Sequence, residues 1–317
     1  MFIKSIAATT HIDLHGTKLT KEHLEMMAEK ANSSSAVAMG IEHDVTLPPI
    51  GKTIRACVEP TEDGEFQLVI FQEEFENTRN IDLPDGTVAW MQASKQDQRP
   101  FARSNQQAFE MIEVSFDLVN FESKEDVSNF LKELRQVTDF REQNLFRKSW
   151  IPDPELVFTL SKSLVAYLFG KKVIEKAGDK IIEQVVDDLS QLYSFVKTAA
   201  KGMAKYAIPK NSPITYIFNI PGDMILELVA RTTDADLLVT ALLEDKLKQV
   251  IKKAEELRNS FRATNIQFLL NPEGEWEFNY LLTEKGEVVG TPQSHSRRAR
   301  RIQLMIQKAQ EGGAQTE

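Results

Sequence analysis

Glu113-Val114-Ser115-Phe116-Asp117-Leu118-Val119 is the stretch on which the reading of this chain turns. Apolar and polar side chains alternate along it, the pattern of a strand with one face in a core. Val114, Phe116 and Leu118 are expected to point inward, and Glu113, Ser115 and Asp117 toward solvent. Four residues further on, Ser123-Lys124-Glu125-Asp126 reads as a capping box. It opens a helix carrying Val127, Phe130, Leu131 and Leu134 on one side.

Upstream, the sequence is rich in strand signals. Phe2–Ile6 suits an edge strand, Asp13-Leu14-His15-Gly16 a turn, and Thr20 the N-cap of a short helix bearing Leu24, Met27, Ala28 and Ala31. Ala36–Ile41 reads as a buried strand and Ile50–Val58 as another, separated by Pro48-Pro49, which no helix can run through. Glu62-Asp63-Gly64-Glu65 is a hairpin turn leading into Phe66–Phe71. Residues 76–105 are polar and read as a surface excursion around one short strand, Thr87–Met91.

Downstream, Trp150-Ile151-Pro152-Asp153-Pro154 punctuates the chain, and the pattern changes beyond it. Two helices are expected there, Glu155–Phe169 and 171–206. They are followed by strands at Ile214–Asn219 and Met224–Ala230, a helix over Asp236–Phe261, and a meander over Ile266–Leu270, Trp276–Leu282 and Glu287–Val289. The fold class is therefore α+β. A small β-barrel-like domain with flanking helices is expected over 1–150. A helix pair plus an antiparallel sheet with one long helix is expected over 151–291, and a polar basic tail, at most partly helical, over 292–317.

Composition narrows the function classes. The chain has 317 residues, 42% of them hydrophobic and 27% charged, which is the profile of a globular protein. One cysteine, Cys57, precludes an intrachain disulfide and fits a reducing, cytoplasmic compartment. No stretch reaches the roughly 20 apolar residues of a spanning helix, and the N-terminus does not read as a secretory signal. The net charge of −9 falls on residues 1–150, with 16 Lys and Arg against 25 Asp and Glu. That balance argues against a nucleic-acid groove there. The basic cluster Arg297, Arg298, Arg300 and Arg301 reads as part of a solvated tail.

No phosphate-binding loop, dinucleotide fingerprint or nucleophile elbow is present, and a lone cysteine excludes a thiolate metal cluster. His11 and His15 lie four apart, but Ile12 and Leu14 alternate with Asp13 and Gly16 ends the run. The segment reads as strand and turn rather than a helical ligand pair, so neither a metal nor a cofactor is expected. His43 follows the apolar strand 36–41 and can act as a general base at a strand end.

Taken in order, Asp13–Gly16, the short helix, the "EHDVTLPPIGK" segment, the "EDGEFQL" hairpin and the "EVSFDLV" strand resemble the phage prohead (capsid-maturation) protease family. That family is related in fold to the herpesvirus assemblins, and the resemblance covers roughly residues 8–145. It implies that Ser115 is an acyl-forming nucleophile and His43 its general base. An acidic third member would be Asp139, with Glu142 also downstream. A hydroxyl needs such a base, and the oxyanion needs backbone donors. The family's glycine two residues after the serine is replaced here by Asp117, whose charge opposes an oxyanion.

Two functions follow. One is a serine endopeptidase that cleaves a protein partner or itself. The other is a catalytically silent protease-like scaffold that acts as an assembly or interaction protein through its C-terminal domain, residues 151–291, and forms a homo-oligomer.

Overall fold

The computed structural model describes residues 2–12, 18–41, 44–102, 108–145, 154–169 and 179–313. The protein is mixed α+β, built on two sheets. Among the described residues, no helix is long and apolar enough to cross a membrane. The chain divides into two compact units. One comprises residues 1–104, 261–264 and 280–317; the other comprises 105–260 and 265–279.

In the first unit, strands β1 (Phe2–Thr9), β2 (Val37–Met39), β3 (Gly51–Pro60) and β4 (Phe66–Glu74) form a sheet of order β1-β4-β3-β2. All its pairings are antiparallel. Helix α1 (Lys21–Ala31) starts at Thr20, whose side chain accepts a hydrogen bond from the His23 backbone amide. It lays Leu24, Ala28 and Ala31 on Ala56 and Leu68. Those three recur at helical spacing, which is why this short segment folds against the sheet rather than alone.

Residues 76–105 hold more regular structure than one strand. Strands β5 (Thr78–Asp82) and β6 (Val88–Ala93) form a hairpin around Pro84-Asp85-Gly86. Strand β6 also pairs with β14 (Glu287–Gly290), and that long-range pairing is invisible to local periodicity.

Lys52 anchors this unit. Its side chain is fully buried, and its ammonium donates to the Asp97 and Arg99 carbonyls at 2.9 and 2.6 Å, 4.9 Å from the Phe101 ring centroid. Burial lowers its pKa to about 8, with the Asp97 charge partly opposing. The turn at Gly286 (φ +67°) passes so close that a Cβ there would lie 2.0 Å from the Lys52 nitrogen.

The segment expected as a polar tail forms helix α7 (Pro292–Gly313). Its first turns are not solvated: Ser294, His295 and Arg298 are buried. Arg298 donates to the Pro48 and Pro49 carbonyls and, at 2.7 Å, to the Gln92 side chain. A guanidinium that meets carbonyl acceptors can be buried, and composition alone does not reveal such acceptors.

In the second unit the sheet is mixed rather than antiparallel. Its strands are β7 (Glu113–Asp117), β8 (Arg141–Leu145), β9 (Glu155–Thr159), β10 (Ile214–Ile220), β11 (Ile225–Thr232), β12 (Ala263–Leu270) and β13 (Trp276–Thr283), in the order β13-β12-β11-β10-β9-β7-β8. Strands β12 and β13 have residues in both units. The pairs β7–β8, β9–β10 and β11–β12 are parallel.

The helix expected over Glu155–Phe169 is instead strand β9 followed by a short helix α3 (Lys162–Leu168). The run Leu-Val-Phe-Thr is equally apolar in either state, and pairing on both sides decides for strand. The long helix is α4 (Asp179–Tyr206), the part expected over 171–178 lying outside the described residues. The helix expected over Asp236–Phe261 is divided into α5 (Ala235–Ala241) and α6 (Glu244–Phe261).

One face of this sheet is aromatic. Phe116 meets Phe130 of α2 (Lys124–Arg135) at 6.0 Å, Phe158 stacks on Phe218 at 5.0 Å, and Phe195 of α4 closes on Phe158 at 6.1 Å. Helix α4 comes down close to α2 at Gly202, where a Cβ would lie 2.7 Å from the Phe130 ring.

The first unit carries a measurable pH dependence. His295 is buried against Trp90, with ring centroids 5.5 Å apart. Burial first, and the Arg298 charge second, lower its pKa from 6.5 to about 4. The unfolded chain therefore binds a proton that the folded chain refuses between these values. Stability, measured by urea denaturation, should fall as pH drops from 6.5 to 4, by at most about 3 kcal/mol from this residue. His295→Leu should flatten that part of the profile.

Candidate functional site

Strand β7 has the expected alternation but not the expected solvent face. All five residues, Glu113 to Asp117, are buried, and Ser115 is 4% exposed. Ser115 lies between Gln143 of β8 and Val157 of β9, and its row continues through Ile217, Val229 and Leu269. Glu113 and Asp117 flank it on the same face, as the two-residue period requires.

Two residues along β7 from Ser115 runs a polar row that was not legible strand by strand. Arg141 is opposite Glu113, Glu113 opposite Thr159, Thr159 opposite Asn219, Asn219 opposite Glu227, and Glu227 opposite Gln267. Several of these side chains pair across the strands, while the Asn219 Oδ1 is buried with no hydrogen-bond partner among the described residues. Glu227 accepts from Asn265 and Gln267 at 3.2 and 3.1 Å, and Gln267 accepts from Asn279 at 2.7 Å. Arg141 pairs with Glu113 at 3.1 Å. Burial raises the Glu113 pKa, and Arg141 partly counters it. The sequence offers several polar residues in each of these strands, and only the register shows which of them form one row.

Asp139 is exposed and belongs to a different place. It lines a cleft of about 230 Å³ with Glu110, Thr138, Ser161, Ser163 and Asp188. Ser163 donates to Asp188 at 2.9 Å, and the hydroxyls of Ser161 and Ser163 are 3.0 Å apart. Ser115 pairs across the strands with Gln143, whereas Asp139 precedes β8 and lines a cleft to which Ser115 does not contribute. Glu142, on β8, pairs with Arg135 at 3.1 Å.

His43 lies outside the described residues, as does His15. The described histidines are engaged elsewhere. His11 meets Asp63 at 2.7 Å, His23 meets the Thr20 hydroxyl at 3.0 Å, and His295 packs on Trp90. Among the described residues, no group of three His, Cys, Asp or Glu side chains is placed to hold a metal ion. Comparison with protein-family models, curated proteins and solved structures finds no match.

The Arg141–Glu113 pair sets a test of the polar row. Arg141→Ala leaves a buried carboxylate without its cation and should destabilise by about 2 kcal/mol at pH 7, given that Arg141 is half exposed. With the raised pKa of Glu113, the penalty should shrink as the pH is lowered and the carboxyl protonates. Thermal melts of both proteins over a descending pH series measure it.

Proposed function

We propose that this protein is a non-enzymatic assembly protein in which a protease-like strand serves as scaffold. The carrying observation is the setting of Ser115: it is 4% exposed in the interior of a paired strand, between the buried carboxyl groups of Glu113 and Asp117. An acyl-forming serine has to be reached by a peptide carbonyl, and its intermediate needs hydrogen-bond donors around the oxyanion. Carboxylates on both sides oppose that charge.

In this reading the strand that carries the prohead-protease resemblance is kept without its chemistry. The partner is protein, the compartment is the cytoplasm, and no cofactor takes part. A fold of one lineage hosts unrelated functions when its site changes.

The experiment is labelling of the full chain with a fluorophosphonate serine probe, beside Ser115→Ala and His43→Ala. No labelling, and melting temperatures of wild type and Ser115→Ala within about 3 °C of each other, are expected. Covalent labelling of the wild type that both substitutions abolish would overturn the proposal and establish the serine endopeptidase instead.

A further inference from the structure

We propose that the C-terminal end of α7 docks on the outer face of α1 in a second copy of the chain. This rests on the assembly reading and names the surface that performs it.

Helix α7 carries one face beyond the point where it is covered. Ser294, His295 and Arg298 are buried, and Arg301 and Ile302 half-buried. Met305 and Ile306, the next positions at steps of three and four, are exposed, Ile306 by 53%. Leu304 beside them is also exposed. An apolar stripe that continues past its own core is the pattern of a helix that completes its burial on a partner. Its polar flank is basic: Arg297 and Arg300 are exposed on this helix, whose only acidic residue is Glu311.

The counterpart is α1. While Leu24, Ala28 and Ala31 face its sheet, the opposite side presents Met26, 57% exposed, among Glu22, Glu25 and Glu29, with exposed Met27 alongside. Unbranched methionine adapts to a helix ridge laid across it. Lys21 already engages Glu25, at 3.4 Å, and Lys30 stands in the last turn, where it complements the helix dipole. The two surfaces are thus complementary in both respects, apolar centre against apolar centre and arginine against glutamate.

Charge also selects the occupant. The chain has a net charge of −9, carried by its first 150 residues, so its body opposes approach to an anionic lipid surface. The same charge makes a second copy an acidic partner for α7. Steering by such complementary fields favours encounter and sets register.

Sedimentation velocity of the full-length protein over a concentration series, at low and high salt, tests this. Self-association weakened by salt is expected. Met26→Ser or Ile306→Ser should each weaken it at least tenfold. Arg300→Glu and Glu25→Arg should each weaken it, and their combination should restore it. All four positions are exposed, so the variants should keep the wild-type circular dichroism spectrum and melting temperature.

A monomer at every concentration, or association indifferent to these substitutions, would overturn the proposal. So would a monomer that binds phosphatidylserine vesicles through α7, since the occupant would then be lipid. Fluorophosphonate labelling of Ser115 in a chain that still self-associates through α7 would refute the assembly reading alone.

Discussion

The second unit depends on one constraint: both faces of β7, β9 and β10 are withdrawn from water. On one face this is simple, because phenylalanines from strands and helices meet there at 5–6 Å. On the other it obliges every polar side chain to find a partner within the sheet, since a buried donor or acceptor left unpaired costs more than a made hydrogen bond returns. The row from Arg141 to Gln267 meets part of that demand by register, joining Arg141 to Glu113, and Gln267 to Glu227 and Asn279. A slip of one residue in any strand would turn its polar member into the aromatic core. The row thus specifies pairing as well as being made possible by it.

The same economy explains Lys52 and Arg298 in the first unit. Each is a cation in a dry position, and each is tied to backbone carbonyls, Asp97 and Arg99 for one, Pro48 and Pro49 for the other. Carbonyls near loops and prolines have no ladder partner, so a buried lysine or arginine satisfies several at once. The basic cluster near the C-terminus is accordingly divided in role. Arg298 holds α7 down, while Arg297 and Arg300 remain on its exposed side.

This setting bears on function through Ser115. The hydroxyl is one polar position in a buried sheet face, with carboxyl groups two residues away on either side. The assembly reading takes this environment at face value. It also gives a purpose to the features a protease would leave unused, the apolar end of α7 and the methionines of α1.

Local patterns in the sequence determined the elements with strong short-range signatures. These include α1 and its Thr20 cap, α2 and its Ser123 cap, the Gly64 hairpin, the strands around 214–220 and 276–283, and the alternation within Glu113–Asp117. Caps, turns and periodicity act over a few residues, so they can be read without neighbours. Tertiary structure alone decided that Glu155–Thr159 is a strand, that β6 pairs with β14, that Arg298 is buried, and that the outer face of β7 is dry. Each of these depends on a partner distant in sequence. An apolar run, a lone arginine or a serine between two acids has no preferred environment until that partner is in place.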